Sequence, residues 1–342
     1  MMTHWSLPTD SITPLLAAAL AARAGLFDAR HVSAFRLFNG FFEGCPDLVV
    51  DLYARTLVLH SYAEPPESAQ AMLAEAKQFL YGELPWAHAT VLKTRHAADL
   101  EARRGVVLCG EAPDRRVRDP GSKVWYAIDL LLNRDASFYL DTRNLRVWAQ
   151  SRLADKTVLN TFAYTGSLGV AARAGGASRV THLDGSHVFL NVAKTSYTLN
   201  GFPIHRADFQ VGDFFIQVSH LKRAGEHFDC VFVDPPFFST TRRGTVDLVH
   251  ESHRVINKVR PLVNDGGYLV AVNNALFVSG ADYIRTLETL CADGYLSIEE
   301  MIPVPPDFTG YPETIVQAPP VDPAPFNHST KIAVLRVRRK AA

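Results

Sequence analysis

Phe228-Asp229-Cys230-Val231-Phe232-Val233-Asp234-Pro235-Pro236-Phe237-Phe238 is the stretch whose reading decides the fold. An apolar run of strand-forming residues stops at an acid followed by two prolines. Proline has no N–H and fixes φ, so a sheet ladder cannot continue and the chain leaves along one path. An acid, two rigid carbonyls and two flat rings at the carboxyl end of a strand make a clamp for a planar group. Open α/β sheets bind their ligands at that end. Asp234, Pro235 and Pro236 are therefore candidate catalytic residues, with Phe237 and Phe238 facing an acceptor. Asp-Pro-Pro is also ordinary turn chemistry, so its meaning depends on what precedes it.

Upstream, Thr157–Thr161 reads as a strand that enters Phe162-Ala163-Tyr164-Thr165-Gly166 and then an Ala-rich helix. Gly166 and Gly169 allow close backbone approach to a ligand and tight helix–strand packing. The spacing is not Gly-x-Gly-x-x-Gly and no Gly-Lys-Ser/Thr follows, which disfavours dinucleotide and P-loop sites. A second strand, Arg179–Leu183, ends at Asp184, followed by Gly185 and Ser186. An acid there can accept hydrogen bonds from both hydroxyls of a ribose. A third unit ends in Gly212-Asp213-Phe214-Phe215, an acid beside aromatics that suits an adenine. Each feature also has a plain structural reading: a helix cap for Asp184 or Asp213, a turn glycine for Gly166.

The order of glycine loop, ribose acid, adenine acid and Asp-Pro-Pro resembles a class I S-adenosylmethionine-dependent methyltransferase. It is similar, more narrowly, to the bacterial large-subunit ribosomal RNA group that includes the 23S cytosine-C5 methyltransferase I and the guanine-N7 K/L enzymes. Phe138-Tyr139-Leu140-Asp141-Thr142-Arg143-Asn144-Leu145-Arg146, Asn160–Gly166, Gly175–Ser178 and Asp234-Pro-Pro-x-Phe238-Ser239 carry that resemblance. Phe35–Gly40 and Asp47–Tyr53 resemble the group's small β-rich domain more loosely, and its amino-terminal PUA domain is expected to have no counterpart.

The resemblance implies an α/β fold: a Rossmann-like, doubly wound methyltransferase sheet over 123–342, and a smaller N-terminal α+β domain over 1–122 as a possible RNA-binding element. S-adenosyl-L-methionine is the implied cofactor, held by Phe162, Tyr164, Thr165, Gly166, Asp184, Gly185, Ser186, Asp213, Phe214 and Asp234. The implied partner is RNA, with ribosomal RNA favoured.

Composition narrows the class. The chain has 342 residues, 47% hydrophobic, with 35 basic and 35 acidic side chains. It is long enough for two domains with sizeable cores. No apolar stretch reaches membrane-spanning length; Pro14–Leu26 is short and interrupted by Arg23. The first residues lack the start of a secretion signal. Four scattered cysteines without Cys-x-x-Cys suggest a reduced cytoplasmic setting and no metal. Monomer and homodimer both remain open. Neutral balance is unusual for a phosphate binder, yet basic residues cluster. Arg336, Arg338, Arg339 and Lys340 read as a solvated face. Arg242 and Arg243, a few residues past the Asp-Pro-Pro box, could meet phosphates around a target base.

Along the chain, helices are expected at Ser11–Ala29, Glu67–Tyr81 and Thr142–Arg152. Phe35–Ala63 should form a hairpin or small sheet, with strands at His88–Lys93, Val106–Cys109 and Val124–Leu132. Strands at 157–161, 179–183, 204–211, 229–233 and 267–273 then alternate with helices, the pattern of a parallel, doubly wound sheet. Tyr295–Ile302 and Ile332–Val337 should close it with antiparallel pairing, and Pro303–Pro325 should be a long loop.

Acceptor chemistry separates the branches of the resembled group. Methyl transfer from a sulfonium is an in-line displacement in which alignment can contribute roughly 7–11 kcal/mol. A ring nitrogen attacks with its own lone pair, whereas cytosine C5 must first be activated by a cysteine thiolate. The cytosine branch carries that cysteine in a Ser-Cys-Ser-like turn after the strand that follows Asp-Pro-Pro. Here the matching place reads Leu269-Val270-Ala271-Val272-Asn273-Asn274-Ala275, which is similar to the guanine-N7 branch. Asn274 is a candidate catalytic residue and Asn273 a candidate for binding base edges; either could instead satisfy turn backbone. Two other classes stay open: a small-molecule or protein methyltransferase, and a non-catalytic RNA-binding assembly factor.

Overall fold

The computed structural model describes residues 11–339. The opening ten residues, where no secretion-like start is read, and Lys340 lie outside them. The chain divides into two units: residues up to Leu140 together with Pro305–Ala318, and Asp141–Val304 together with Pro319 onward. The break therefore falls at 140/141 rather than 122/123.

In the first unit, α1 (Thr13–Ala22) and α3 (Gln70–Glu83) pack on a five-stranded sheet. Its order is β1 (Ala34–Asn39), β2 (Leu48–Tyr53), β3 (Thr56–Ser61), β4 (Ala89–Thr94) and β5 (Val106–Gly110). One helical turn, α2 (Gly40–Glu43), joins β1 to β2, and α4 (Leu100–Arg104) precedes β5. Only the β3–β4 pair is parallel. Leu16, Phe35, Leu37, Leu57, Leu59 and Leu80 share the core. The strand expected over Val124–Leu132 shrinks to β7 (Tyr126–Ala127), paired with β6 (Arg116–Val117). Ile128 and Leu130 are buried without a ladder, because an apolar run records burial and not pairing.

The expected Pro303–Pro325 loop contains a helical turn, α11 (Pro306–Thr309), and its 305–318 part belongs to the first unit. Arg23 is the reason. It is fully buried, forks onto Glu43 at 2.9 and 3.0 Å, and donates to the Asp307 carbonyl at 2.7 Å.

In the second unit the strands are β8 (Thr157–Thr161), β9 (Arg179–Asp184), β10 (Phe209–Val211), β11 (Phe228–Val233), β14 (Val263–Asn273), β15 (Leu296–Ile302) and β16 (Lys331–Val337). A separate hairpin is made by β12 (Phe238–Thr241) and β13 (Gly244–Asp247). The seven-stranded order is β10-β9-β8-β11-β14-β16-β15. The first five are parallel, and β16 enters antiparallel between β14 and β15. Helices α5 (Arg143–Arg152), α6 (Ser167–Ala174), α7 (His187–Leu199), α8 (Phe214–Arg223), α9 (Ser252–Val259) and α10 (Gly280–Cys291) complete the α/β layers.

Two apolar cores flank the sheet because β11 alternates. Val231 and Val233 face one core, Cys230 and Phe232 the other. The expected strand at 204–211 is short: residues 206–208 form a 3-10 turn and only Phe209–Val211 pairs. The chain steps from β8 outward to β9 and β10, then returns to β11 on the other side of β8. That reversal creates a crevice at the carboxyl ends of β8 and β11. Among the described residues no helix is long and apolar enough to cross a membrane.

Candidate active site

The loop after β8 has an unusual backbone. Phe162 and Tyr164 both sit at φ 51°, and Gly166 at φ 78°. Non-glycine residues seldom occupy that left-handed region unless their surroundings hold them there. Here the carboxyl end of β9 does so: the Ala163 N–H donates to the Leu183 carbonyl at 2.9 Å, and the Tyr164 N–H to Asp184 Oδ2 at 2.8 Å. Thr165 is buried behind them. A Cβ on Gly166 would lie 2.6 Å from Ala193 Cβ, and one on Gly169 2.4 Å from His182 Cε1. Both glycines are thus required for α6 to lie against its neighbours.

Asp184 Oδ1 accepts a second backbone N–H, from Ser186 at 2.8 Å. Burial raises its pKa and the two backbone N–H groups oppose that rise. An ionised carboxylate has about four acceptor positions, so two remain for a ligand. Gly185 is exposed, and Ser186 caps α7 by accepting from the Phe189 N–H. Asp213 caps α8 through Oδ1, which accepts from the Ile216 N–H at 3.1 Å. The capping reading of Asp213 therefore holds, and its other oxygen is not used by the cap. Phe214 lies against Phe162 with ring centroids 4.4 Å apart. Hydrogen-bond acceptors at two adjacent strand ends beside an aromatic pair fit an adenosine-type ligand.

The clamp is set by register. Val233 of β11 pairs with Thr161 of β8 and with Ala271 of β14, so Asp234 emerges between the ends of those strands. Asp234 is half-buried, and burial followed by the nearby Asp141 charge pushes its pKa up to about 7. Asp141 is itself placed by the Thr330 hydroxyl, which donates to its Oδ2 at 2.8 Å.

Asn274 is exposed and donates from Nδ2 to the Pro235 carbonyl at 3.2 Å, tying the β14 turn to the clamp. Asn273 does not reach outward. It is buried, donates to the Leu248 carbonyl at 3.0 Å and accepts from the Ala275 N–H at 3.0 Å. Its amide shapes the turn, which corrects the expectation that it contacts a base edge.

The same turn holds a residue that no motif singles out. Lys331, opposite Asn273 in the ladder, is buried and donates to the Ala275 carbonyl at 3.1 Å and to the Ser329 carbonyl. Burial lowers its pKa to about 8. Asp141 belongs to the Phe138–Arg146 motif, but nothing in the residue pattern assigns it an electrostatic role.

Phe237 and Phe238 are 60% and 54% exposed, and Phe277, after the β14 turn, is 78% exposed. Pro236 is exposed and Pro235 buried. Arg242 and Arg243 form the exposed turn of the β12–β13 hairpin, where the Arg243 N–H donates to Thr241 Oγ1 at 3.1 Å. Cys230 is fully buried among α5 and α6 side chains, and burial raises its thiol pKa well above the ordinary value. Four residues of strand place it about 13 Å from Asp234.

Residues 35–318 match the family described as S-adenosylmethionine-dependent methyltransferase. The chain belongs to that family, and S-adenosylmethionine is its cofactor. It is 31% identical over 274 residues to the ribosomal RNA large subunit methyltransferase I of Photobacterium profundum, covering 78% of this chain and 69% of the relative. The protein of that name from Enterobacter sp. is 32% identical over 254 residues, covering 73% and 62%. Among solved structures, SMU.776 complexed with SAH superposes with TM-score 0.81 at 20% identity, covering 96% of this chain and 82% of that one. The SAM-dependent methyltransferase from Agrobacterium tumefaciens gives 0.58 at 18% identity, covering 86% and 88%. The doubly wound fold expected from strand alternation is the one these structures share.

Proposed function

We propose that this enzyme methylates a base of large-subunit ribosomal RNA at a ring nitrogen, with guanine N7 favoured. The observation that carries the choice of atom is the β14 turn. Where carbon chemistry needs a thiol, this turn presents Asn274 beside Asp234 and Pro235, and Cys230 is buried about four residues down the strand. A thiol with a raised pKa in an apolar core is a poor nucleophile.

The bound cofactor supplies an electrophilic methyl on a sulfonium. The protein's own contribution is orientation. Asp184 and Asp213 would accept hydrogen bonds from the cofactor, with Phe162, Tyr164, Thr165, Gly166, Gly185, Ser186 and Phe214 around it. Phe237 and Phe238 offer flat apolar surface for an unstacked base, as expected when chemistry is done on a base drawn out of its stack. The Pro235 and Pro236 carbonyls and Asn274 present acceptors and a donor, and Asp234 in its ionised form would accept from an exocyclic amino group. Arg242 and Arg243 would meet phosphates. The names of the relatives at about 30% identity support ribosomal RNA as substrate.

The test is transfer of labelled methyl to large-subunit ribosomal RNA from a strain lacking the gene, followed by nucleoside analysis. Label in 7-methylguanosine is the expected result. Label in 5-methylcytidine overturns the nitrogen assignment, and label appearing only in protein or metabolite fractions overturns RNA as the substrate.

A further inference from the structure

On the second unit lies a groove of about 360 Å³ whose basic lining comes from three separate elements: Arg223 of α8, with His220 beside it, Arg243 of the β12–β13 turn and Lys258 of α9. Its floor includes the Phe215 ring, with Lys258 Nζ 5.9 Å from the ring centroid. The hairpin is held onto that floor by Gly244, where a Cβ would come within 2.7 Å of the Phe215 ring. Arg243 is therefore carried to α8 by packing.

None of these four residues pairs with a carboxylate among the described residues. Glu226, three residues past Arg223, is engaged by Arg179 at 3.7 Å, and Asp247, on the other hairpin strand, by His250 at 3.0 Å. Lys222 adds a further positive group, its pKa lowered by burial and by the neighbouring Lys258 ammonium. Like charges gathered without counterions are unfavourable in isolation and are relieved by an anion. In a chain whose net charge is zero, this concentration is local.

We propose that this groove binds the phosphodiester backbone of the substrate RNA beside the target base. The proposal rests on the RNA reading of the active site and deepens it. The β12 strand links the two places directly: Phe238 belongs to the clamp, and Arg243, in the turn just past the end of β12, to the groove, at most roughly 17 Å away along the chain. A single strand leaving the clamp crosses that distance within a few nucleotides. A basic groove with an aromatic floor is a sequence-tolerant arrangement for single-stranded nucleic acid.

The experiment measures binding of an unmodified large-subunit ribosomal RNA transcript across a salt series, for the full chain and for Arg223→Ala/Lys258→Ala. Calorimetry with S-adenosylmethionine on both proteins shows whether the fold is kept. The expected result is a loss of about tenfold or more in RNA affinity and a salt slope shallower by about 1.4, two single-strand phosphate contacts at ~0.7 each. The loss should fall in KM for RNA and leave cofactor affinity unchanged. Arg223→Lys/Lys258→Arg should restore binding. If the double variant keeps affinity and slope while the native chain binds and methylates RNA, the groove is idle and the substrate reading stands. If the native chain neither binds nor methylates RNA, the substrate reading fails and the groove assignment with it. An equal loss of polyglutamate binding would reveal general attraction for polyanions and overturn the proposal.

Discussion

Two aspartates, buried Asp51 in the first unit and half-buried Asp234 in the second, are driven in opposite directions. Asp51 of β2 is taken out of water, which works against its charge, but the Arg36 guanidinium at 2.8 Å and His60 at 3.1 Å outweigh burial and hold its carboxyl far below the usual range. Asp234 also loses water, forms no ion pair among the described residues and lies near a second carboxylate, Asp141, so its carboxyl rises to about 7. The Asp51 charge is neutralised by its own neighbours, as Glu43 is by Arg23. At the crevice of the second unit, Asp184 and Asp213 accept from backbone N–H groups, and Asp184, Asp213 and Asp234 form no ion pair among the described residues. Paired carboxylates hold a fold together, whereas unpaired ones with perturbed protonation mark a site.

The sharpest way to break the comparison is to unpair the first unit. Glu43→Ala leaves Arg23 buried without its counterion and removes the acceptor of the Thr314 hydroxyl. A loss of about 3–5 kcal/mol is expected, read as an earlier denaturation transition for the first unit. A change below 1 kcal/mol would show that the pair is solvated and the contrast false.

Asp184→Ala tests the opposite side. Loss of a charged acceptor should weaken S-adenosylmethionine binding by about 1.5–3 kcal/mol, or roughly ten- to a hundredfold. Isothermal calorimetry with unchanged affinity would remove Asp184 from the site.

Asp234 gives a pH signature. Its folded pKa of about 7 exceeds the ordinary 3.8, so between those values the folded state binds more protons than the unfolded one. Stability contributed by this group is present below about pH 4 and is lost as pH rises through about 7. Asp234→Asn should flatten that decline in the ligand-free enzyme. It should also remove the acid limb near pH 7 from kcat/KM, which reports the free enzyme. A limb that survives the substitution belongs to another group.

The smallest effect is expected from Cys230→Ser. It should cost some stability in the β11 core and leave methyl transfer intact. RNA containing 5-fluorocytidine should form no covalent adduct with the native chain. An adduct abolished by the serine would show that the thiol reaches the base.

The doubly wound sheet, the crevice and the acids at its rim were legible in the residues, because each is announced locally. An apolar run meets an acid at Asp184, Asp213 and Asp234, and glycine stands where α6 presses on β9 and α7. Boundaries were less legible where burial and pairing part company, as at Val124–Leu132, and at 204–211, where residues 204–207 are exposed and only Phe209–Val211 pairs. Asn273 and Asn274 look alike in sequence, yet one is consumed by backbone and the other reaches the surface.

Only the tertiary structure decided matters that depend on residues distant in the chain. Residue types and spacing could show that Asp234 ends a strand, but its protonation depends on burial by the fold and then on Asp141, 93 positions earlier by numbering and held by Thr330. Arg23 reads as an interruption in an apolar stretch until Glu43 and the Asp307 carbonyl surround it. The basic groove draws on α8, α9 and a hairpin turn; the Arg242-Arg243 pair stands out locally, but its meeting with Arg223 and Lys258 does not. Local pattern determines which elements form, since periodicity and turn chemistry act over a few residues. Charge interacts through space, and the fold sets which charges meet.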